Sequence, residues 1–388
     1  MDEGGFFMNF DLTEEQQMIR KMARDFADEV IRPRAIEIDT TATFPEDIFK
    51  EMGKLGFMGI PFPESVGGSG GDTISYALAV EEIGRACGST GLSYAAAVSL
   101  GASPINQFGT EDQKETFLKP LASGQALGSF GLTEPNAGSD AGGTKTTAKI
   151  DGDEYVISGE KCFITNASFA KTVIVTAVTG KDERGKNIIS AILVPTKAEG
   201  VTITSNYDKM GVRGSDTAEI VLDNVRVPRS NLLGDEKEGF KQFLTTLDGG
   251  RISIAALGLG IAQASLDKSL LYAKERMQFG RPISSFQAIQ FKLADMSMEI
   301  ELARNMVMKA AWLKDQGRSF SKEAAYAKLF ATETAVRAAD EAIQIHGGYG
   351  YMREYEVERY LRDAKLLVIG EGTSEIQRVV ISRQLGCR

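Results

Sequence analysis

Thr172-Val-Ile-Val-Thr-Ala-Val178 and Ile188-Ile-Ser-Ala-Ile-Leu-Val194 are two short apolar runs rich in β-branched residues, and a polar stretch with Gly, Asp and Asn separates them. Tyr155-Val-Ile-Ser158 and Ala218-Glu-Ile-Val-Leu222 are similar runs on either side. Runs of this kind, bounded by turn-forming residues, are typical of β-strands. The sequence therefore predicts a central, mostly antiparallel β domain over residues 126–236.

A helical pattern precedes this β region. In residues 8–125, Thr13 and Gln16 form a predicted capping box at the start of a helix. Apolar residues then recur at helical spacing until Pro33, which we expect to end the helix. The first third of the chain is therefore predicted to be an N-terminal helical domain.

Helical patterns return after the β region, in residues 237–388. The stripe of apolar residues from Ile252 to Leu266 is one of three that predict long helices, and a shorter last helix is predicted around Ile376 to Arg383. Four such helices suggest a C-terminal four-helix bundle. The predicted fold class is therefore α+β, in the order helical, β, helical.

The composition excludes several classes of protein. A net charge of −9 does not favour binding to nucleic acid or to an anionic membrane. We expect no apolar run long enough to span a bilayer and therefore no membrane insertion. Met1–Phe7 is acidic and Gly-rich, unlike a secretory signal or transit peptide, so we exclude it from the fold. Without a targeting segment, we expect a cytoplasmic location.

The chemistry is limited by the scarcity of histidine and cysteine. His346 is the single histidine, so a zinc site of the HExxH type is impossible, and three scattered cysteines predict neither a disulfide framework nor a metal site. The chain also has no GxxxxGK[ST] motif for phosphate transfer. A carboxylate, backbone amides or a bound organic cofactor must therefore carry any catalysis.

Two segments of the predicted β domain suggest a ligand site. Phe130-Gly-Leu-Thr-Glu-Pro-Asn-Ala-Gly-Ser-Asp-Ala-Gly-Gly143 is rich in Gly and hydroxyl residues that could surround a flat polar ring or a phosphate. The alternative is a plain surface loop. Lys161-Cys-Phe-Ile-Thr-Asn166 ends a predicted strand, and its plainer interpretation places Phe163 in the core.

Two segments of the helical C-terminal region have the same ambiguity. In Glu275-Arg-Met-Gln-Phe-Gly-Arg-Pro-Ile-Ser-Ser-Phe-Gln287, arginines and a helix N-terminus could meet a pyrophosphate, or could simply connect two helices. In Gln344-Ile-His-Gly-Gly-Tyr-Gly-Tyr351, the glycines could let a ligand approach the backbone, or could only cap a helix.

Glu371 is the candidate catalytic residue. It lies in Ile369-Gly-Glu-Gly-Thr-Ser-Glu-Ile-Gln-Arg378, where Ser374 and Gln377 form a predicted capping box for the last helix. A carboxylate just before a helix is usually a surface group stabilised by the helix dipole. Here two glycines and a preceding apolar stretch favour an apolar cleft, which raises a carboxyl pKa and suits a general base.

Together these segments resemble the acyl-CoA dehydrogenase family. LTEPNAGSD, FITN, RMQFGRPISSFQ, QIHGGYGY and EGTSEIQR occur in the family's order, and the resemblance extends from about Phe10 to Gly386. It implies the acyl-CoA dehydrogenase fold, with FAD between the β domain and the C-terminal bundle. It also implies a homotetramer that passes electrons to an electron-transfer flavoprotein.

The resemblance also assigns residues to the site. Glu371 is the catalytic base. The cofactor-binding residues are Phe130, Leu132, Thr133, Ser139, Phe163, Thr165, Thr373 and Glu375, and from a neighbouring subunit Arg276, Phe279, Gln287, Gln344 and Gly348, with Phe286 and Gly347 beside them. The substrate-binding residues are Ser139, Asp248, Arg251, Gly370 and Gly372. No metal is implied.

The implied reaction is α,β-dehydrogenation of an acyl-CoA to a trans-2-enoyl-CoA. Glu371 takes the α-proton, and its backbone N–H helps to stabilise the enolate oxygen. Some members carry the base directly before the arginine that matches Arg251, but this chain has Gly250 there. Many straight-chain enzymes have Tyr before the base, whereas the isovaleryl type has Gly, as at Gly370. We therefore expect a short-chain substrate with some tolerance for branching, in fatty acid β-oxidation or branched-chain amino acid catabolism.

Three alternatives stay open at this stage. A medium-chain or isovaleryl-type dehydrogenase would differ only in substrate. An acyl-CoA oxidase would use O₂, and comparing turnover with O₂ and with an artificial electron acceptor would distinguish it. A non-enzymatic helical scaffold would be colourless after purification and could not be reconstituted with FAD.

Overall fold

The computed structural model describes residues 11–205 and 207–387. The interpretation of Met1–Phe7, and the predicted domain ends at 8 and 388, lie outside these residues. Within them the chain is helical, then β, then helical, so the predicted α+β class and the order of its three parts are confirmed. The finer domain limits, at 125/126 and 236/237, stay a prediction.

The N-terminal part is helical, as predicted. Thr13 and Gln16 form the predicted capping box at the start of the first helix. Pro33, however, does not end the helical path, because it lies early in the short 3₁₀ turn Arg32–Arg34, where a proline needs no N–H partner. The helices are α1 Glu14–Phe26, α2 Ala35–Thr41, α3 Glu46–Lys54, α4 Thr73–Ala86, α5 Gly88–Ala96, α6 Ser103–Phe108, α7 Glu111–Gln113 and α8 Lys119–Ala122.

The central part is an eight-stranded sheet. Its strands are β1 Leu127–Gly131, β2 Thr147–Asp151, β3 Glu154–Thr165, β4 Ala170–Lys181, β5 Asn187–Pro195, β6 Val201–Thr204, β7 Thr217–Pro228 and β8 Leu232–Leu233. The strand order is β6-β7-β3-β2-β4-β5-β8, and β1 pairs with β4. The pairing is antiparallel except where β4 meets β1 and β2. The four predicted strands lie within β3, β4, β5 and β7, and the other four strands were not predicted.

The C-terminal part contains three long helices and two short ones. They are α9 Gly239–Glu275, α10 Gln287–Asp315, α11 Ser321–His346, α12 Val357–Leu367 and α13 Ser374–Gln384. A small hairpin, β9 Met277–Gln278 with β10 Arg281–Pro282, connects α9 to α10. The helical nature of this region is confirmed, but α12 was not predicted.

Helix α9 is the central element of the molecule. It packs against α4 on one side and against α10 and α11 on the other. Gly260 permits the close crossing with α4, because a Cβ there would lie 2.2 Å from the carbonyl oxygen of Glu81. The N-terminal and C-terminal helices therefore share one apolar core.

The expectation that no apolar run is long enough to span a bilayer needs correction. Among the described residues, α9 is the one helix long and apolar enough to cross a membrane when judged by length and composition alone. Its most apolar 18-residue window is 72% buried inside the protein, against α4, α10 and α11. An all-round apolar helix is typical of a protein core as well as of a membrane span.

Candidate active site

Glu371 lies in a tight turn between α12 and α13. Its φ of 52° and that of Gly372, 92°, are both in the left-handed region, which is costly for a glutamate. The turn is held from several sides. Gly370 N–H donates to the Leu366 carbonyl at 2.8 Å, and the Gly372 carbonyl accepts from the Gln377 amide at 2.9 Å. The fold therefore imposes this backbone conformation on the candidate base.

The predicted capping box at Ser374 is wrong. Thr373 is the residue that caps α13, because its side chain accepts a hydrogen bond from the Ile376 N–H at 3.2 Å. The extended backbone of Thr373 places its hydroxyl over the first turn, whereas Ser374 already lies inside the helix. Gln377 bonds to the Gly372 carbonyl and stabilises the turn that carries Glu371.

The carboxylate of Glu371 is buried, although the residue as a whole is partly exposed. Its Oε2 atom has no hydrogen-bond partner among the described residues. Gly250 makes room for it: a Cβ at that position would lie 2.3 Å from Oε2 and 3.2 Å from the side chain of Leu100. A buried carboxylate without a partner is costly, so its pKa must rise.

Burial raises the pKa of Glu371 to about 7, and the positive charges of Lys328 and Arg251 oppose the rise. The side chain can therefore exchange a proton near neutral pH, as a general base requires. Glu371 was predicted from the sequence, but Lys328 was not. Its burial, on the face of α11 that also carries Ala324 and Thr332, is a finding of the structure, because a lysine is usually a surface residue.

Asp248 and Arg251 lie on α9, next to Gly250. They form an ion pair, and Arg251 is almost completely buried. Burial is the main cause that lowers the pKa of Arg251, and the charges of Asp248 and Glu371 oppose it. Glu371, Gly372, Asp248 and Arg251, all assigned to the site by resemblance, therefore lie in one region of the molecule.

The predicted flavin segments of the β domain also lie together. The Cys162 N–H donates to the Thr133 carbonyl at 2.9 Å, and Ser129 Oγ donates to the Thr165 carbonyl at 3.0 Å. Phe130 stacks on Phe243 of α9 with ring centres 5.8 Å apart. These contacts join the segments 129–134 and 161–165 and place them next to the start of α9.

A buried ion pair that was not predicted supports these two segments. Lys161 Nζ lies 2.7 Å from a carboxylate oxygen of Glu134 and also donates to the Leu132 carbonyl at 3.1 Å. Burial disfavours the ionised carboxyl, but hydrogen bonds from Lys161 and Thr144 outweigh it and lower the pKa of Glu134 to about 2. Burial lowers the pKa of Lys161 to about 8, so both groups are charged at neutral pH and the pair fixes the loop from inside.

Phe163 does not lie in the core, contrary to the plainer interpretation. Its side chain is 62% exposed, and its φ of 59° marks an irregularity in β3, where the register with β7 shifts. Ser139 is also exposed, in the loop before β2. Leu132, Thr133 and Thr165 are half-buried.

A second group of predicted residues lies at the far end of α9. Arg276, Gly347 and Gly348 line a surface pocket of about 440 Å³, and the Arg276 guanidinium lies 5.3 Å from the Tyr349 ring centre. His346 lines the same pocket and is buried, with Nδ1 bonded to the Ala342 carbonyl. The nearby residues assigned by resemblance are Gln344, Phe279, Phe286 and Gln287.

These residues differ in exposure. Gln344, Gln287 and Phe279 are exposed, Phe279 to 91%, and Phe286 directly precedes α10 with its ring against Phe279. Gly347 has a φ of 59° at the end of α11, so a glycine does end that helix. The two C-terminal segments that looked ambiguous in sequence therefore meet around one concave surface.

The two groups of site residues cannot line one small site in the same chain. Gly250 and Arg276 are 26 positions apart along α9, which corresponds to roughly 39 Å at 1.5 Å per residue. Glu375 and Thr373 lie with Glu371, at the end of α9 that carries Gly250. The residues assigned to the site by resemblance therefore lie in two separate regions, one at each end of α9.

Comparison with known proteins shows the family of this chain. Sequence models described as the acyl-CoA dehydrogenase N-terminal, middle and C-terminal domains match residues 13–125, 129–225 and 237–386. The chain belongs to the acyl-CoA dehydrogenase family. Family members are oxidoreductases that depend on FAD, so this acyl-CoA dehydrogenase is an FAD-dependent enzyme.

Individual relatives match over nearly the whole chain. A probable acyl-CoA dehydrogenase, YngJ, from Bacillus subtilis is 75% identical over 97% of this chain and 100% of the relative. The butyryl-CoA dehydrogenase from Megasphaera elsdenii is 47% identical, with a TM-score of 0.95 over 97% of this chain and 100% of that one. A chain in a structure of the electron transferring flavoprotein of Acidaminococcus fermentans is 48% identical, with a TM-score of 0.95 over 97% and 99%.

The residues present fit FAD. The segments 129–134 and 161–165 offer half-buried hydroxyls, backbone groups and the exposed Phe163 ring for a flat heterocycle. The pocket at the other end of α9 offers an arginine and two exposed glycines for a pyrophosphate. Among the described residues, no group of three or more His, Cys, Asp or Glu side chains is arranged to hold a metal ion.

Glu371→Gln should change how stability depends on pH. A carboxyl whose pKa is raised from 4.5 to about 7 keeps its proton in the folded protein but loses it in the unfolded chain between these values. The wild type therefore loses stability relative to the variant as pH rises from about 4.5 to 7, and the difference then stays constant. Its full size corresponds to about 3 kcal/mol.

Denaturant unfolding of both proteins at pH 5, 6, 7 and 8 measures this difference, because groups common to both proteins cancel. Glu375→Gln is a matched control, since Glu375 is an exposed carboxylate on the neighbouring helix. A Glu371→Gln effect that does not vary with pH would show that the carboxyl has an ordinary pKa.

Proposed function

We propose that Glu371 is the general base of this acyl-CoA dehydrogenase and that its substrate is a short-chain acyl-CoA, with some tolerance for a branched acyl group. The observation that carries the first part is the buried carboxylate, with its Oε2 unpaired and its pKa near 7. Such a group is a stronger base than an exposed carboxylate and has no direct ion pair among the described residues, so it can take the proton next to a thioester when the enolate oxygen is also stabilised.

The protein's part in the reaction is positioning and proton transfer. Glu371 accepts the α-proton, and its own backbone N–H, with φ fixed by the turn, is the proposed donor to the developing enolate oxygen. Arg251 and Asp248 hold the acyl-CoA next to the base. Bound FAD supplies the acceptor for the second hydrogen and its electron pair, and the product is a trans-2-enoyl-CoA.

The other assigned residues divide between cofactor and substrate. From one subunit, the proposed FAD contacts are Phe130, Leu132, Thr133, Ser139, Phe163, Thr165, Thr373 and Glu375. From a neighbouring subunit they are Arg276, Phe279, Phe286, Gln287, Gln344, Gly347 and Gly348. Ser139, Gly370 and Gly372 are proposed to contact the acyl-CoA. The assignment of the FAD contacts to two subunits is supported by the position of the two sets at opposite ends of α9.

Glu371→Gln should lower turnover by at least roughly 10²–10⁴-fold, the usual contribution of general-base catalysis, because the amide cannot accept the α-proton. FAD content, measured from the flavin absorbance of the purified protein, should stay unchanged. Turnover is measured with butyryl-CoA and an electron-transfer dye. Near wild-type turnover would show that another residue is the base.

The proposal of a short acyl chain rests on Gly370 and on the relatives. A Cβ at Gly370 would meet only Leu366, at 3.6 Å or more, so the space beside the base is open where many relatives of the straight-chain type carry a ring. The Megasphaera relative is a butyryl-CoA dehydrogenase, and a Clostridium acetobutylicum relative that is 47% identical is named short-chain specific.

Turnover of butyryl-, isobutyryl-, isovaleryl- and octanoyl-CoA should be highest for the four- and five-carbon acyl groups. Gly370→Tyr should reduce isobutyryl- and isovaleryl-CoA turnover more than butyryl-CoA turnover, because the ring would fill the open space. Gly370→Ala is the matched control and should change the ratios little. A preference of the wild type for octanoyl-CoA would contradict the proposal.

We also propose a homotetramer in which two chains complete each FAD site, with an electron-transfer flavoprotein as the acceptor. The separation of the two groups along α9 supports a shared site. Large apolar side chains exposed on α10, at Phe291, Met298 and Leu302, support burial against another subunit. The Acidaminococcus structure that contains a similar chain is one of an electron transferring flavoprotein, which supports this choice of acceptor.

Mixed oligomers of Glu371→Gln chains and Arg276→Ala chains test the shared site. Each variant alone should be weakly active. In a mixed pair, one site would receive both defects and the other would receive wild-type Glu371 and wild-type Arg276, so activity should return toward half of the wild-type value per pair. Refolding or coexpressing both chains and measuring turnover gives the result. No recovery in verified mixed oligomers would place both residues in the same site of one chain.

A further inference from the structure

Lys328 is a completely buried lysine on α11, beside the turn that carries Glu371. Its Nζ donates a hydrogen bond to the Gly372 carbonyl at 2.8 Å, and this is the contact that fixes the ammonium in place. Burying a charged group is costly, so a fully buried lysine needs opposite charge nearby. Burial lowers its pKa to about 8, while the charge of Glu371 opposes the change.

The charges around this carboxylate come from several elements. Lys328 on α11 and Arg251 on α9 are positive and favour the ionised form of Glu371. Asp248 pairs with Arg251 and reduces that contribution, and Glu375 on α13 is exposed to solvent. Tyr76 on α4 also faces the carboxylate, but it is buried and neutral because burial raises its pKa far above the ordinary range.

We propose that Lys328 is a positioning residue for Glu371: it fixes the Glu371–Gly372 turn through the Gly372 carbonyl and holds the carboxylate in the form that accepts a proton. The proposal rests on the assignment of Glu371 as the base. Lys328 itself does not contact the reacting atoms and takes no proton from the substrate.

The hydrogen-bonding pattern shows why this arrangement suits a base. An ammonium bonded directly to the carboxylate would lower its pKa strongly and occupy an oxygen that must accept the α-proton. Here the ammonium donates to the neighbouring carbonyl, and Oε2 of Glu371 stays unpaired among the described residues. The positive charge is therefore close to the base without blocking it.

The same hydrogen bond supports the strained backbone. Glu371 and Gly372 both have positive φ, and Gly372 could not be replaced freely because a Cβ there would lie 2.8 Å from the Gln377 amide nitrogen. The Gly372 carbonyl receives two donors, Lys328 and Gln377. Two donors from two different helices hold the turn in the conformation that aims the carboxylate at Gly250.

Lys328→Met and Lys328→Gln, each measured for kcat/KM against pH with the FAD-loaded enzyme, test the proposal, because kcat/KM reports the pKa of the base in the substrate-free enzyme. Removing a charge this close to a carboxylate should move the midpoint of the acid limb up by about one pH unit. With a wild-type midpoint near 7, kcat/KM at pH 7 should fall about fivefold and should recover at pH 9. The glutamine keeps a donor for the Gly372 carbonyl, so its midpoint should move equally, but its plateau at high pH should be higher than that of the methionine variant.

Lys209→Met is the matched control. Lys209 also donates to a backbone carbonyl, that of Ser215, at 2.6 Å, but it lies outside the group of charges around Glu371. The Lys209→Met variant should leave the midpoint of the acid limb unchanged. Midpoints of both Lys328 variants within 0.2 units or so of the wild type, with any loss of kcat/KM equal at all pH values, would overturn the proposal and show a purely structural role.

A stability cycle, which needs neither FAD nor turnover, covers the case in which a variant folds poorly. At pH 8, Lys328→Met should destabilise the wild type more than it destabilises Glu371→Gln, because only the former has a charge that loses its partner. Equal effects would contradict the proposal. If Glu371→Gln is as active as the wild type, the assignment of the base fails instead, so the two failures are distinguishable.

Discussion

The cost of burying one carboxylate is the constraint on which the site depends. Glu371 has a backbone conformation that glutamate disfavours and a carboxylate with no hydrogen-bond partner for Oε2 among the described residues. Both features are unfavourable for folding, and both suit a base that works near neutral pH. They persist because α9, α11 and α13 all contribute contacts that hold the turn, and because Gly250 leaves space for the carboxylate.

Two buried pairs of opposite charge, Glu134–Lys161 and Glu371–Lys328, have different roles. The Glu134–Lys161 pair joins two segments of the β domain in direct contact, with additional hydrogen bonds that satisfy both groups, and its value is rigidity. Glu371 and Lys328 are also opposite charges in a buried region, but their hydrogen bonds are directed elsewhere. The first pair is chemically inert for that reason, and the second keeps a carboxylate available for reaction.

The strands and the candidate base were predictable from the sequence where neighbouring residues form a recognisable pattern. Runs of β-branched residues located β3, β4, β5 and β7, and the glycines around Glu371 indicated the base. The short strands β1, β2, β6 and β8 have too few residues for a clear pattern. Helix α12 was missed although Val357, Tyr360, Ala364 and Leu367 recur at helical spacing, because the helix is short and charged residues separate its apolar positions.

What could not be predicted depends on contacts between distant segments. The choice between Thr373 and Ser374 as the cap depends on the backbone angle at a single residue. Lysine is usually a surface residue, so the proposed role of Lys328 follows only from its contact with the carbonyl of Gly372, 44 positions later in the chain. Cofactor roles for the segments 129–134 and 161–165 and for Arg276 are implied by resemblance alone, and the structure adds the separation of Gly250 and Arg276 along α9.

Helix α9 has a length that sequence variation cannot easily change. It carries Phe243, Gly250 and Arg251 near one end and Arg276 at the other, with no break between them. Inserting or deleting one residue between Arg251 and Arg276 would rotate one end against the other by about 100° and shift it by about 1.5 Å. In the proposed assembly, that change would disturb the sites of two subunits at once. Substitutions within α9 are therefore expected to be tolerated more easily than a change in its number of residues.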